Sequence, residues 1–272
     1  MFDTGGFGYF SNPSDLIRRQ VSSVGITGSM SNIAPPVSNS SYYMTYYAPA
    51  IECSHANDTV FKEISAVYNG SINNNFYTSF VPTSRTNITG MLNNTNNLDT
   101  LSKDHARIFF IVSFTKNLTV IECGLFNASY VVLFNFSSFS QSAVIQNRTL
   151  LHEVWGDTYD AAATSKDFKV TNILFNYLGI MSAFGELLVG TIGFGASGGI
   201  RRTLTSFTLT SLLGAQDVKP MWDLSSITSY SSIAQNYTLA EGLEDLFTNI
   251  TLSLFSSSQF LYAYLYSVVF RG

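Results

Sequence analysis

The clearest hydrophobic pattern lies in the middle of the chain and is typical of β-strands. Residues 107–115 are almost continuously apolar and rich in β-branched and aromatic side chains, which predicts a strand buried on both faces. Apolar residues then alternate over 117–126 and again over 130–136, and these stretches predict two further strands with a turn at Asn127-Ala128. Another strand is expected near 143–147, so the pattern predicts an antiparallel meander.

Two later segments have the period of three to four residues that is typical of amphipathic helices. In the first, apolar side chains recur from Ile173 to Ile192 and the opposite stripe is small or polar, so we expect a helix buried on one side. Thr238-Leu-Ala-Glu241 has the spacing of a capping box and predicts the start of the second helix. The apolar stripe predicted for that helix comprises Leu239, Leu243, Leu246, Phe247, Ile250 and Leu254. Between the helices, the threonine-rich segment 201–213 is predicted to be a strand.

The remaining segments complete the predicted fold. Residues 1–36 are rich in glycine and serine, and we expect a flexible lead-in with at most a short helix over 16–21. Aromatic residues at 42–47 predict a strand, and the asparagine-rich segment 69–97 predicts a long loop. We therefore predict an α+β fold, in which an antiparallel meander or sandwich-like sheet carries two or three amphipathic helices.

Composition bounds the function and raises a question about solubility. The 272 residues are 46% hydrophobic, enough for one large domain, which we place at 37–258 with an apolar stub over 259–272 as a candidate membrane-proximal segment. Charged residues are only 12% and the net charge is −4, so we expect no nucleic-acid partner. Serine, threonine and asparagine, 82 residues in all, supply the polarity instead.

Many of the asparagines lie in sequons for N-glycosylation. Eleven of the 21 stand in Asn-x-Ser/Thr with x not proline, about twice the roughly five expected by chance. They are Asn39, Asn57, Asn69, Asn87, Asn93, Asn117, Asn127, Asn135, Asn147, Asn236 and Asn249. We predict N-glycosylation in the secretory pathway, where sugar replaces charge as the solubilising coat. The alternative is that a chain so rich in these residues contains the triplets by accident.

The two cysteines, Cys53 and Cys123, favour the same compartment. A single pair forms either one disulfide or two buried thiols. We favour the disulfide, which would close a loop of about 70 residues and stabilise the fold by about 4 kcal/mol. No metal or other cofactor is expected, because Cys53 and His55 are the only close Cys/His pair and no second pair completes four ligands.

A lumenal protein needs an entry signal, and this sequence offers no clear one. Residues 1–10 lack the basic and apolar regions of a signal peptide. The best candidate membrane span, 173–196, carries Asn176, Glu186 and five glycines, and the apolar segment 260–270 is too short. We therefore expect the sequence to be part of a longer chain whose signal or membrane helices lie outside it.

Two glycine motifs are interpreted as structural. Gly195-Ala-Ser197-Gly-Gly199 fits a nucleophile elbow, and 193–198 fits a dinucleotide-binding loop. Both motifs need a strand before them and a helix after them, whereas the predicted order here is the reverse. We predict a flexible connection from helix to strand. The histidines are scattered without metal-ligand spacing; they are His55, His105 and His152.

Two clusters of side chains remain as candidates for function. Glu153, Asp157 and Asp160 could supply the two carboxylates of a glycoside hydrolase, although an exposed acidic cluster before a helix is explained equally by the helix dipole. The second cluster is aromatic and comprises Tyr42, Tyr43, Tyr46 and Tyr47. It could line a sugar- or partner-binding face, but packing of a half-buried strand is the simpler explanation.

Several segments are similar to parts of one protein family. They are Gly28-Ser-Met-Ser-Asn-Ile33, Asn39-Ser-Ser-Tyr42, Ala48-Pro-Ala-Ile-Glu-Cys53, Cys123-Gly-Leu-Phe-Asn127-Ala-Ser-Tyr130-Val-Val-Leu-Phe-Asn-Phe136, Ala183-Phe-Gly-Glu-Leu-Leu-Val-Gly190 and Leu243-Glu-Asp-Leu-Phe-Thr-Asn249-Ile-Thr-Leu-Ser-Leu254. Together they resemble, over roughly 24–258, the ectodomain of large multi-pass membrane proteins of filamentous fungi. Some members are labelled "formylmethionine deformylase-like", but the sequence has no His-Glu-x-x-His metal motif, so we do not carry that activity over. The resemblance implies membrane helices on either side of a glycosylated domain.

We expect a non-catalytic, N-glycosylated extracellular or lumenal domain of a fungal membrane protein, with the plasma membrane favoured, that serves surface interaction or ligand binding. Its expected partners are N-linked glycans and, through segments outside this sequence, a membrane. The identity of any protein or carbohydrate partner is left open. One alternative is a secreted carbohydrate-active hydrolase that uses the acids around Glu153 to Asp160. Another is an intracellular interaction protein whose sequons are never used.

Overall fold

The structure is a computed structural model of the 272-residue chain. It describes residues 12–35, 37, 39–71, 75–82, 106–114, 117–137, 140–154, 168–194, 200–203, 205–219 and 236–256. Within these residues the helices are α1 (Asp15–Thr27), α2 (Asp58–Ser71), α3 (Phe168–Leu188) and α4 (Leu239–Ser253). The strands are β1 (Ser41–His55), β2 (Asn75–Phe80), β3 (Arg107–Phe114), β4 (Asn117–Phe136), β5 (Gln141–Glu153), β6 (Gly190–Phe194) and β7 (Ile200–Thr203). All strand pairs are antiparallel, which confirms the predicted α+β class.

The longest described strand, β4, organises the sheet. Along one edge it pairs with β1 over residues 121–135. Along the other edge it pairs first with β3, over 117–124, and then with β5, over 126–136. The sheet therefore has two halves that share β1 and β4. We call them the covered half, with the order β1-β4-β3-β2-β6-β7, and the open half, formed by β1, β4 and β5.

The middle of the covered half, at β2 and β3, is buried on both faces. Successive side chains of β3 point into two different cores, and residues 108–112 are all 3% exposed or less. Ile108 and Phe110 face the main core, which also contains side chains of α1, α3 and α4. Phe109 and Ile111 face a smaller core with Ile64 of α2. This confirms the prediction of a strand buried on both faces.

The open half is covered on one face by described residues. Tyr46, Tyr130 and Phe134 are buried there against Leu252 and Phe255, which lie at and just beyond the end of α4. On the other face, alternate residues of β1 and β5 are exposed, as their burial patterns show. A half-buried strand alternates in this way because successive side chains point to opposite faces.

The predicted turn at Asn127-Ala128 is wrong, because β4 continues straight through it. The buried positions change there from odd numbers, such as Cys123 and Leu125, to even numbers, such as Ala128 and Tyr130. The register between β1 and β4 does not shift, whereas the pairing of β4 with β5 shifts at 127–128. A change of buried face inside one strand therefore imitated the end of one strand and the start of another.

The segment expected to be flexible contains a packed helix. The predicted short helix over 16–21 extends over the 13 residues of α1, and its Ile17, Val21 and Val24 lie in the main core. Gly28 ends the helix with φ of 67°, a left-handed conformation that favours glycine. The glycine and serine content of residues 1–36 concealed a short apolar stripe at every third or fourth position.

Residues after α1 are tied to the open half by hydrogen bonds. The backbone N–H of Ile33 donates to Gln141 Oε1 at 2.7 Å, and Gln141 Nε2 donates to the Ser31 carbonyl at 2.9 Å. The N–H of Ser31 donates to Ser253 Oγ at 2.8 Å. This stretch is therefore part of the folded domain and not a flexible lead-in.

The helix predicted from Ile173 onwards is buried nearly all round, not on one side. Of the side chains described in α3, only Ile173 and Glu186 are exposed, and Ile192 lies in β6. Glu186 accepts two hydrogen bonds from Arg18 of α1, at 2.7 and 3.0 Å. The small residues Gly179 and Ala183, predicted to lie on a small and polar stripe that could also pack closely against a neighbouring element, are buried.

The strand predicted over 201–213 is wrong beyond Thr203. Residues Phe207–Leu209 and Ser211–Gly214 form 3₁₀ turns. Thr205 Oγ1 donates to the Leu188 carbonyl at 2.8 Å, and Thr210 Oγ1 donates to the Phe207 carbonyl at 2.7 Å. Threonine hydroxyls that bond nearby backbone in this way compete with a sheet ladder.

The asparagine-rich loop predicted over 69–97 is also shorter than expected. α2 continues to Ser71, and β2 occupies Asn75–Phe80, where Phe76 and Tyr77 are buried. Residues 83–97 lie outside the described part of the chain.

The capping box at the start of α4 is confirmed. Thr238 Oγ1 accepts the N–H of Glu241 at 3.3 Å, and Glu241 Oε2 accepts the N–H of Thr238 at 2.7 Å. All six residues of the predicted apolar stripe are 2% exposed or less. α4 spans both halves of the sheet, since Leu239 lies in the main core and Leu252 lies in the core of the open half.

Candidate functional site

The predicted disulfide between Cys53 and Cys123 is present and lies between β1 and β4 in the covered half. The two residues stand directly opposite each other in the ladder, and Cys123 is also opposite Ile108 of β3. Cys123 is fully buried, and the N–H of Cys53 donates to Glu244 Oε1 of α4 at 2.8 Å. The bridge therefore crosslinks the two shared strands at the point where α4 crosses them.

A polar cluster beside the disulfide holds α4 on the sheet. Arg148 of β5 donates to Glu244 Oε2 at 2.6 Å, and both side chains are about three-quarters buried. Burial lowers the pKa of Arg148, but the hydrogen bond and charge of Glu244 outweigh it and raise that pKa overall. Burial raises the pKa of Tyr130 to about 12, and the nearby Arg148 opposes that rise. This ion pair is not predicted from the sequence, because its partners are 96 residues apart.

Four of the predicted glycan acceptors are exposed. They are Asn39, Asn57, Asn147 and Asn236. Asn57 caps α2, because its Oδ1 accepts the N–H groups of Thr59 and Val60 at 3.1 and 3.0 Å. A glycan attaches through Nδ2, so this cap and a sugar are compatible. Asn147 lies in β5, and its Nδ2 donates to Thr149 of the same sequon at 3.4 Å.

Three further acceptors are partly buried and bonded to other parts of the protein. Asn135 Oδ1 accepts from Ser41 Oγ at 2.6 Å, and Asn127 Oδ1 accepts from the Tyr177 hydroxyl at 3.0 Å. Asn249 differs from both, because its Nδ2, the atom that would carry the sugar, donates to the Gly28 carbonyl at 3.2 Å. Among these three acceptors, Asn249 alone has its Nδ2 bonded to a distant part of the chain, whereas the Nδ2 of the exposed Asn147 bonds only within its own sequon.

The side chains of the other four predicted acceptors lie outside the described part of the structure. Asn69 lies in α2 and Asn117 begins β4. Asn87 and Asn93 lie outside the described residues.

The acidic cluster proposed for a hydrolase is only partly described. Glu153 ends β5 and is half-buried, whereas Asp157 and Asp160 lie outside the described residues. His55 and His152 are exposed on strands, and His105 is outside the described part. Among the described residues, no group of three or more His, Cys, Asp or Glu side chains could hold a metal ion.

The glycine motifs at 193–199 connect two strands. β6 precedes residues 195–199, which are not described, and β7 follows and pairs with β6. The expected connection from helix to strand is therefore wrong, because β6 intervenes after α3. Here a strand follows the glycine-rich residues, whereas the nucleophile elbow and the dinucleotide-binding loop both need a helix at that position.

The four tyrosines of β1 divide between the two faces of the open half. Tyr46 is buried and stacks on Tyr130 with ring centroids 5.3 Å apart, and Tyr42 packs beside Phe134. Tyr43 and Tyr47 point away from them and are 67% and 55% exposed. Packing thus explains one pair and leaves the other available.

The exposed tyrosines belong to a surface that we call the open face. It consists of four rows across β1, β4 and β5: Ser41, Asn135 and Ser142; Tyr43, Leu133 and Val144; Thr45, Val131 and Asn147; and Tyr47, Ser129 and Thr149. All its members in β1 and β5 are exposed, and those in β4 are half-buried. The alternation of side chains along β5 is a signal for this surface in the sequence, but the strand predicted there covered only the part near 143–147.

Within the described residues, no helix is long and apolar enough to cross a membrane. The apolar segment 260–270 lies outside them. A comparison with protein-family models, with curated proteins and with solved structures finds no match for this chain.

Proposed function

We propose that this chain is an N-glycosylated, disulfide-bonded domain of the extracellular space or the secretory lumen, and that it acts by binding and not by catalysis. The observation that carries the proposal is the buried disulfide between Cys53 and Cys123. Disulfides persist in oxidising compartments and are rare in the cytosol. The bridge is compatible with the location that the sequons favour.

The distribution of sequons supports the same location. Asn57, Asn147 and Asn236 are exposed in the described structure, so a sugar at these positions does not conflict with the fold. The low share of charged residues, 12%, is then explained by a coat of neutral sugar. Binding is the favoured role because the open face presents exposed aromatic and aliphatic side chains.

We further propose, from the resemblance to fungal ectodomains, that the domain belongs to a multi-pass membrane protein of the plasma membrane. The genomic sequence on each side of the reading frame tests this part separately. Apolar spans of about 20 residues are expected there. Flanking sequence that lacks such spans would contradict membrane attachment without affecting the lumenal location.

The central test is expression through the secretory pathway followed by glycopeptide mass mapping. We expect sugar on Asn57, Asn147 and Asn236, and an intact bridge under non-reducing conditions. Asn249 is expected to be empty, because its Nδ2 and the buried Thr251 hydroxyl are both engaged within the fold. Enzymatic removal of N-glycans that leaves the protein's mobility unchanged, or free thiols at both cysteines, would overturn the proposal.

A further inference from the structure

One glycan acceptor stands beside an exposed tyrosine on the open face. Asn135 of β4 is opposite Ser41 of β1, and Tyr43 is two residues further along β1 on the same face. Diagonal neighbours of this kind in antiparallel strands lie about 7–8 Å apart, which is within reach of a large side chain. A group attached to Asn135 therefore begins within reach of the Tyr43 ring.

The hydrogen bond between Ser41 and Asn135 does not involve Nδ2 of Asn135, the atom to which a sugar attaches. The Ser41 hydroxyl donates to Asn135 Oδ1 at 2.6 Å. This bond holds the amide by its oxygen, while a glycan attaches through Nδ2. It also restrains the side chain, so that the attached sugar starts from a fixed position.

The part of the open face next to Asn135 is apolar and uncharged. Leu133 and Val144 lie in the same row as Tyr43. Val144 is 46% exposed and Tyr43 is 67% exposed, so this row has apolar area that the described residues leave uncovered. None of the twelve residues of the open face is Asp, Glu, Lys, Arg or His. A neutral sugar matches such a face, whereas a charged partner would find no counter-charge on it.

We propose that the row of Tyr43, Leu133 and Val144 on the open face is the docking surface of the protein's own glycan, and that the first N-acetylglucosamine on Asn135 packs on Tyr43 and Leu133, which leaves the Tyr47 end of the open face for a partner. This inference rests on the proposed function, since it requires N-glycosylation. The C–H groups on one side of a pyranose ring are weakly positive, and the face of an aromatic ring is negative, so the two attract when they stack. The same contact shields Leu133 and Val144 from water.

The test is a pair of substitutions in the secreted full-length chain. Its glycans are first trimmed enzymatically, under native conditions, to a single N-acetylglucosamine at each site. Tyr43→Ala is then compared with the parent protein in two backgrounds, one with sugar on Asn135 and one carrying Asn135→Gln. We expect Tyr43→Ala to lower the melting temperature by roughly 2–4 °C when the sugar is present, and by less than about 1 °C when it is absent.

Two matched variants control for unrelated effects. Tyr43→Phe keeps the ring and should keep the glycan-dependent stability. Tyr47→Ala removes a comparably exposed tyrosine, 55% against 67%, from the same strand and face, but about 13 Å further along it. Tyr47→Ala should shift the melting temperature equally in both backgrounds.

The outcomes separate this inference from the proposed function. Sugar on other sequons but not on Asn135 overturns the inference alone, whereas a chain without sugar at any sequon overturns both. Equal effects of Tyr43→Ala in the two backgrounds also overturn the packing. A dimer that forms while the sugar is present on Asn135 and is lost on Tyr43→Ala would make a second copy of the chain the occupant, and would likewise overturn it.

Discussion

β1 and β4 pass through two environments, and the difference between the halves lies in what pairs and packs beside them. In the covered half, β3 continues the sheet and helices cover both faces, so consecutive residues 108–112 are buried. In the open half, β5 continues the sheet, and the described structure covers one face with Leu252 and Phe255. In the open half β1 and β4 therefore contribute Tyr46 and Tyr130 to a core on one face and leave the opposite face exposed.

This comparison shows how a chain with little charge divides its polar residues. The covered half is held by apolar burial and by the disulfide. The open half places its polar side chains and two predicted glycan acceptors, Asn135 and Asn147, on the face opposite its core. Core and presented surface thus remain separate within one continuous sheet.

The largest effect is expected from a cavity in the covered half. Phe109 is fully buried and stacks on Phe80 with ring centroids 5.3 Å apart. Phe109→Ala should reduce the free energy of unfolding by about 3–5 kcal/mol. Tyr47→Ala, on the open face, should change it by less than about 0.5 kcal/mol. Urea unfolding of both variants measures the difference, and similar losses would show that the halves do not differ in burial.

Removal of the crosslink between the shared strands should have the next largest effect. Cys53→Ala combined with Cys123→Ala frees a loop with a sequence separation of 70. The free energy of unfolding should fall by about 2–4 kcal/mol. Unfolding of the double variant in urea, beside each single variant under reducing conditions, measures the loss. A loss below about 1 kcal/mol would mean that the strands hold their pairing without the bridge.

A smaller effect is expected at the start of α4, the helix that contacts both halves. Thr238→Ala removes the cap and should cost about 1 kcal/mol, measured by thermal unfolding. Thr238 is also the threonine of the Asn236 sequon. Asn236→Gln is therefore the control, since it removes the sugar and keeps the cap. An equal loss in both variants would attribute the effect to the glycan.

The smallest effect is expected at Asp245 on α4. Burial, followed by the charges of Glu244 and Glu241, raises its pKa, and Arg148 only partly opposes this. A carboxyl whose pKa is raised on folding stabilises the protein below the unfolded pKa, and this stability is lost as pH rises through the folded pKa. Asp245→Asn should thus be more stable than the parent at pH 7, by less than about 0.5 kcal/mol because water screens this exposed group, and equal to it below about pH 3. Thermal unfolding at the two pH values is the measurement, and a loss of stability at pH 7 would contradict the sign.

Elements with one strong local cause could be predicted from the sequence. The apolar run of β3 and the capping box of α4 each determine their structure within a few residues, and both predictions are confirmed. The disulfide could be predicted because two cysteines allow a single intramolecular pair. The break assigned at Asn127 was wrong because the buried positions of β4 change there while its pairing with β1, which is distant in the sequence, continues without a shift.

The surface features could not be predicted because they depend on contacts between residues that are distant in the sequence. The engagement of Asn249 depends on Gly28, which is 221 residues away, and no local pattern marks that contact. The open face depends on the register of three strands, which alternation within one strand does not provide. Sequence patterns thus predict candidate acceptors, and only the fold shows that Nδ2 of Asn249 is bonded to a distant part of the chain.

The position of the disulfide in the ladder also bears on how the chain matures. Cys53 is opposite Cys123 only in the native register, and a slip of one residue moves one of the two sulfurs to the other face of the sheet. The disulfide can therefore form only after β1 and β4 have paired in the native register. During synthesis the thiol of Cys53 must wait for a partner 70 residues later. Because this sequence contains two cysteines, a Cys53 that has not met Cys123 can form a disulfide only with a thiol outside the sequence, such as that of a second copy.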